Sequence, residues 1–245
     1  MSSPSSPRLI LPAVEEFRPR WFNAIHRSLA FDWATRIAVA SVFVLMLFSN
    51  VSWIIQAASG EITNYILLSI ATHASSALFV SLVAATTLTR LPPIRKAAGI
   101  EPRIAAMLGT FLLIALAMLP KQELPPIALA FSCALVVTGM LTSFVVLRWL
   151  GKAFSIMAEA RRLVTHGPYR FVRHPLYVCE ELAVIGAFIQ VVSPLALIIL
   201  IVQTVFQFRR MAYEEQVLTA TFPEYENYAQ RTPRLLPLGW IRSAA

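Results

Sequence analysis

The feature that most constrains this chain is a series of long apolar runs with almost no charge inside them. A bilayer span needs about 20 predominantly apolar residues. Candidate runs lie at 34–57, 62–88, 104–119 and 127–147. The first holds Arg36 near its start and Asn50 and Gln56 near its end. A fifth apolar stretch, 176–208, is too long for one ordinary span, and Ser193-Pro194 sits in its middle. Proline breaks a helix interior, so this stretch reads as two helices joined by a tight turn. The first of the two is short, about 176–191, which suits a tilted or partly interfacial segment. The expected fold class is therefore all-α: a polytopic integral membrane protein with about four transmembrane helices plus a C-terminal transmembrane helical hairpin. The expected division is a tail at 1–33, four spans at 34–150, and a polar and hairpin region at 151–245.

Composition agrees. Hydrophobic residues make up 57% of the chain and charged residues 14%, against roughly 25% charged in soluble domains. Mean hydropathy is +0.66. The net charge of +8 does not point to nucleic acid, because the basic residues cluster between apolar runs, where anionic headgroups and membrane orientation account for them. Residues 1–20 lack an apolar core and do not read as a cleaved signal peptide. The last residues, Arg-Ser-Ala-Ala, carry no prenylation signal. Cys133 and Cys179 lie in apolar segments and read as small buried hydrophobes; no metal-ligand or disulfide spacing exists. His73 reads as a packing or hydrogen-bonding residue.

The basic residues also predict orientation. Arg8, Arg18, Arg20 and Arg27 mark the N-terminal tail. Arg90, Arg95, Lys96 and Arg103 mark the second-to-third loop, and the 148–173 segment and the C-terminal tail are basic too. The intervening loops hold only Lys121. Six crossings with both termini on the cytoplasmic face satisfy this alternation. The 148–173 segment and the tail then share one face.

Two motifs on that face carry the chemistry. The first is Gly167-Pro168-Tyr169-Arg170-Phe171-Val172-Arg173-His174-Pro175-Leu176-Tyr177. Gly167-Pro168 is a turn signal. Pro175 suits the first position of a helix, which puts His174 at or near its cap. Free N–H groups and a positive dipole at that helix start suit an anionic group, and Arg173 adds a charge. The second motif runs from Arg210 through Glu214-Glu215 to Leu218, followed by Phe222 and Tyr225. Arg210 and Glu214 are four residues apart and share a helix face. Two adjacent carboxylates suit an ammonium group. Singly, each element has a plainer reading: the arginines as positive-inside anchors, the glutamates as a solvated helix end, Tyr169, Tyr177, Tyr225 and Tyr228 as interfacial belt residues. Glu180 and Glu181 lie inside an apolar helix, where an acid is costly and usually functional; one of them is expected to face a polar cavity.

Taken in order, the set closely resembles the isoprenylcysteine carboxyl methyltransferase family, and phospholipid methyltransferases share a looser version. The resemblance covers about 151–237; residues 1–150 carry no matching motif. It implies S-adenosylmethionine bound without a Rossmann domain. Arg161, Arg162, Leu163, Val164, Gly167 and Tyr169 would line the cofactor, with Glu159 as a polar contact. His174, Pro175, Leu176 and Tyr177 would hold it at the helix start, and Glu214 would take its amino group. Arg210 would face the acceptor, with Arg173 and Glu215 as further catalytic candidates and Glu181 as a substrate contact. Arg161 stands where prenylcysteine enzymes tend to carry histidine, and Pro223 replaces a common glycine. The implied function is methyl transfer to a lipophilic acceptor, first a carboxylate such as that of an isoprenylcysteine, otherwise a phospholipid amine or another small hydrophobic molecule. The rival class is a sterol-type membrane reductase using NADPH, and a third reading is a membrane protein with a decayed site. The expected partners are that acceptor and membrane lipids, with neither a metal nor nucleic acid.

Overall fold

The computed structural model describes residues 29–236; the expectations for the N-terminal tail and for the last nine residues lie outside it. Six long helices dominate: α1 (Leu29–Ala58), α2 (Asn64–Thr89), α3 (Glu101–Ala117), α4 (Pro126–Leu150), α5 (Pro175–Gln190) and α6 (Pro194–Thr219), followed by the short α7 (Tyr225–Arg231). The boundaries follow local chemistry. Thr63 caps α2 by accepting from Ile66 N at 3.3 Å, and Ser193 caps α6 by accepting from Ala196 N at 3.1 Å, with Pro194 in the first turn. The long apolar stretch is thus two helices split at Ser193-Pro194.

The helices alternate in direction between two ends. α3 begins beside the end of α6, where Glu101 pairs with Arg209 at 2.8 Å. It finishes beside the start of α6, where Leu116 joins Val184, Val191 and Ala196 in one apolar cluster. α1 lies along α2, α2 along α4, α4 along α5, and α3 along α6. Among the described residues four helices are long and apolar enough to cross a membrane: those at Asp32–Ala58, Asn64–Thr89, Pro126–Ala153 and Pro194–Thr219. They bury only 11–33% of their most apolar windows, so Leu45, Phe48, Ile55, Ile127 and Ile201 point outward. That surface suits lipid. α3 and α5 have 17 and 16 residues, about 24–26 Å of helix, short of the roughly 30 Å hydrocarbon core. The expected third span and the first arm of the expected hairpin are these two shorter helices, which are not among the four, and of the hairpin only α6 is.

Close backbone contact joins α4 to α5. A Cβ on Gly139 would stand 2.5 Å from Ala183 N and 2.8 Å from Cys179 O, and one on Gly186 would stand 2.8 Å from Ser132 O. Ser132 Oγ donates to Gly186 O at 2.8 Å and accepts from Gln190 Nε2 at 2.8 Å. Small residues at such crossings are the usual route to tight helix association in lipid. Alanine is the better helix former by about 1 kcal/mol, but here its methyl meets main-chain atoms that cannot swing aside, and overpacking costs about 1–3 kcal/mol. Gly139→Ala is accordingly expected to lower the unfolding temperature in detergent; an unchanged or higher midpoint would remove this contact.

The remaining single residues settle into the fold. Cys133 is buried and Cys179 half-buried, both as free thiols. His73 hydrogen-bonds Asn50 Oδ1 at 2.9 Å and stacks on Trp53. At the end of the bundle holding the basic loops, a two-residue strand β1 (Arg95–Lys96) pairs antiparallel with β2 (Glu159–Ala160). Leu91 N donates to Lys152 O at 2.9 Å and Ala97 N to Ala158 O at 2.9 Å. This pairing lays the α2–α3 loop along the 152–160 segment and fixes that segment over the end of the bundle.

Candidate functional site

The start of α5 organises the site. Proline cannot donate from its nitrogen, so Pro175 begins the helix without cost, and His174 stands at the cap in a non-helical conformation. The chain leading into it is held by backbone bonds, Arg173 N to Pro233 O at 2.9 Å and His174 N to Arg234 O at 3.1 Å. The polar segment and the C-terminal tail do meet. Upstream, Gly167 has φ +63°, and a Cβ there would stand 2.7 Å from the Trp149 ring; only glycine fits both the backbone and the space. That turn delivers Tyr169, whose carbonyl accepts from Tyr228 Oη at 2.6 Å.

Glu215 is the clamp. It accepts from His174 Nε2 at 3.0 Å and from Arg234 Nε at 3.0 Å, is bonded by a second Arg234 nitrogen, and pairs with Arg173 Nη1 at 3.4 Å. It ties the end of α6 to the start of α5 and to the tail. Its oxygens are committed, and it does not line the cleft.

Glu214, one residue earlier, faces the other way, into a cleft between the 150–164 segment, α5, α6 and α7. Tyr177 Oη donates to Glu214 Oε1, and Arg210 Nε lies 3.3 Å from the same oxygen. Arg210 is only 5% exposed. Its Nη1 donates to Thr110 Oγ1 at 3.1 Å and its Nη2 to Ser155 O at 3.4 Å, and its guanidinium lies 5.0 Å from the Tyr177 ring centroid. On the opposite wall Glu159 accepts from Ser155 Oγ at 3.0 Å and binds Arg161.

The cleft encloses about 800 Å³, its open mouth included, within the range of small-molecule sites. Of the residues singled out in the sequence, Glu159, Arg161, Arg162, Leu163, Val164, Tyr169, Arg173, His174, Leu176, Tyr177, Arg210 and Glu214 line it. Gly167, Pro175, Glu181 and Glu215 do not. Gly167 shapes the turn and Pro175 the helix start, while the Glu181 carboxylate accepts from Gln203 Nε2 at 3.0 Å. Its neighbour Glu180 lines the cleft instead. Sequence reasoning missed Phe154 and Ser155, which also line it, gave no role to Leu218 at the end of the second motif, which lines it too, and gave Tyr225 and Tyr228 only a belt role. Their signal lay in the spacing of Tyr225 and Tyr228, three apart on one helical turn.

Polar groups in the cleft are arranged for a ligand of mixed charge. Arg161 Nε and Nη1 are buried without a protein partner, the Tyr225 hydroxyl has none beyond Arg173, and such groups call for a partner. Burial pulls the Arg161 pKa down while Glu159 opposes it. Burial raises Tyr169, helped by Glu214 and Glu180, and pushes Tyr225 up to about 12, helped by Glu215. Both phenols are thus neutral donors near pH 7. Glu214 offers negative charge for an ammonium. Arg161, Arg173 and the α5 start offer donors for a carboxylate. Leu163, Val164, Leu176 and Phe154 supply apolar wall. Among the described residues no group of three or more His, Cys, Asp or Glu stands together to hold a metal ion.

Comparison with known proteins falls on this same region. Residues 127–225, from α4 to Tyr225, match the phospholipid methyltransferase family. A nickel-cobalt-cadmium resistance protein, NccN, of Alcaligenes xylosoxydans xylosoxydans is 33% identical over 111 residues, 43% of this chain and 51% of that protein. A cobalt-zinc-cadmium resistance protein, CzcN, of Cupriavidus metallidurans is 37% identical over 76 residues, 31% of this chain and 35% of that protein. Protein-S-isoprenylcysteine O-methyltransferase B of Arabidopsis thaliana is 30% identical over 115 residues, 44% of this chain and 58% of that protein. The chain thus aligns with 35–58% of the length of these relatives.

Proposed function

We propose that this chain, whose residues 127–225 match the phospholipid methyltransferase family and which is similar over part of its length to an isoprenylcysteine methyltransferase, transfers the methyl of S-adenosylmethionine to a lipophilic acceptor within the membrane. The observation that carries the reading is the cleft itself: Glu214 and Arg210 one helical turn apart on α6, in a cleft also lined by the unpartnered guanidinium donors of Arg161, just after β2, and by Arg173 at the start of α5. An amino acid moiety needs both signs of charge side by side. Glu214 would receive the ammonium group, oriented by Tyr177. Arg161, Arg173 and the α5 N-terminus would receive the carboxylate, and Leu163, Val164, Tyr169 and Leu176 would cover the remainder.

S-adenosylmethionine supplies a methyl group already activated on a sulfonium. The chain's own contribution is orientation and exclusion of water. Arg210, buried and lining the cleft, would hold the acceptor oxygens of a carboxylate. That acceptor attacks as its anion, so an O–CH₃ bond forms as the S–CH₃ bond breaks, and no base is needed. This suits a site in which Glu215 is fully engaged and Glu214 is held by Tyr177 and Arg210. The carboxylate of a prenylated cysteine is therefore the acceptor we favour. Labelled-methyl transfer from S-adenosylmethionine into a panel of prenylcysteines and phospholipids tests it. Label in the prenylcysteine ester supports the reading, label in a phospholipid amine moves the acceptor, and label in neither, with no donor binding by calorimetry, overturns it.

The cleft is assigned to the cytoplasmic side, because the basic loops gather at its end of the bundle and Lys121 is the lone basic residue in the described loops at the other. A reporter fused after Ala245 is expected to read as cytoplasmic and one in the 121–126 turn as external; the same side for both would exclude this topology.

A further inference from the structure

A second pocket lies behind the first, separated from it by Met157 and Glu159, which line both. It encloses about 860 Å³, its open mouth included, and Thr35, Arg90, Lys96, Arg103 and Ile156 contribute to its walls. The mechanism of methyl transfer makes no use of it.

Its electrostatics are unbalanced. Asp32 is shared by Arg36 at 2.7 Å and Arg90 at 3.4 Å. Glu159 is shared by Lys96 at 3.4 Å and Arg161. Among the described residues these two carboxylates thus serve four cations, and Arg103 also lines the wall. The Arg90 side chain is only 8% exposed, yet its Nε has no partner. A buried guanidinium N–H without an acceptor is costly and rare.

The position of the pocket narrows the ligand. It is built from the second and third turns of α1, the first turn of α3, the residue after α2, and the β1–β2 pair with the residues before it. Helix ends of a membrane bundle stand at the level of lipid phosphates, and basic pockets between such ends take anionic headgroups. The wall also carries apolar surface from Val39, Pro102, Ile156 and Met157, which matches the glycerol and upper acyl chain of a lipid better than a fully hydrated ion.

We infer that this pocket binds the phosphate group of an anionic phospholipid, held by Arg90, Lys96 and Arg103. The bound lipid neutralises the excess charge behind Glu159 and braces the β1–β2 pair that carries one wall of the methyl-transfer cleft. The inference stands on its own charges and geometry and does not depend on the acceptor.

The test uses the full chain in detergent micelles, with unfolding temperature as the readout. Dioleoylphosphatidic acid is titrated against dioleoylphosphatidylcholine, with inorganic phosphate and sodium chloride at matched ionic strength as further arms. Phosphatidic acid is expected to stabilise saturably and at about tenfold lower concentration than phosphatidylcholine. Lys96→Ala with Arg103→Gln should weaken that effect about tenfold or more, by loss of charge-assisted contacts. Thr35→Glu, which keeps every basic residue but places a carboxylate at the wall, should weaken it too and guards against a folding defect in the double variant. Competition by inorganic phosphate would support the site as one for the phosphate group itself, and stabilisation by the lipid alone would support the lipid as its source. Equal titration by phosphatidylcholine, or an unchanged response in both variants, would overturn the inference.

Discussion

Glu214→Gln is expected to weaken S-adenosylmethionine binding by about ten- to more than a hundredfold. The figure follows from the roughly 1.5–3 kcal/mol of a hydrogen bond to a charged group at about 1.4 kcal/mol per decade. Glutamine is nearly isosteric and can still accept from Tyr177 Oη through its amide oxygen, so the local packing survives. What it cannot supply is the negative charge for an ammonium group. Arg210 beside it then loses its counter-charge, at 3.3 Å in the native site, and the local field turns repulsive to a cationic ligand. Calorimetric titration of the variant, with an unfolding curve to show that it is folded, checks the expectation. Unaltered affinity in a folded variant would take Glu214 out of the donor site.

The parts of this site that were legible in the sequence are those fixed by local rules. Pro175 had to begin a helix, Ser193-Pro194 had to separate two, and Arg210 and Glu214 had to share a face. Each depends on residues within about one turn. The alternation of basic clusters likewise fixed which loops gather at one end. What the sequence did not disclose depends on contacts between distant segments. Glu214 and Glu215 are adjacent and were both open to an active role. They point about 100° apart on a helix, and only the positions of His174 and Arg234 show that Glu215 is spent as a clamp. Glu180 and Glu181 pose the same problem, decided by Gln203 taking Glu181. Likewise, no local pattern signals that β1 pairs with β2, that Thr110 on α3 reaches Arg210, or that α4 and α5 touch at Gly139 and Gly186. Small residues in an apolar helix look alike until the neighbouring helix is in place. The two short helices show a further limit. A hydropathy run of 16–17 residues does not disclose that its helix is packed along a longer one, as α5 lies along α4 and α3 along α6.

The remaining large effect is expected at Arg210. On sequence alone this arginine was equally readable as an anchor for lipid phosphates, a task lysine performs about as well. Its burial removes that reading: at 5% exposure it is inside the protein, stacked over Tyr177 and bonded to Thr110 and Ser155. Of its five N–H donors, Nε is directed toward Glu214, one goes to Thr110 and one to Ser155, leaving two for a ligand in the cleft. Lysine keeps the charge but has three donors on a flexible stem and no planar fork. It cannot hold Thr110, Ser155 and Glu214 and also present a second pair of donors. Arg210→Lys is therefore expected to cut methyl transfer to a prenylcysteine carboxylate by about tenfold or more, the worth of a charge-assisted hydrogen bond, while changing donor affinity much less because the positive charge beside Glu214 remains. With an amine acceptor the outcome reverses in kind. A cation near a protonated amine is unhelpful, fork geometry matters little, and turnover should hold. Donor affinity and methyl transfer measured on the same purified variant separate these cases. If both values equal those of the unmodified protein, Arg210 has no part in holding the acceptor.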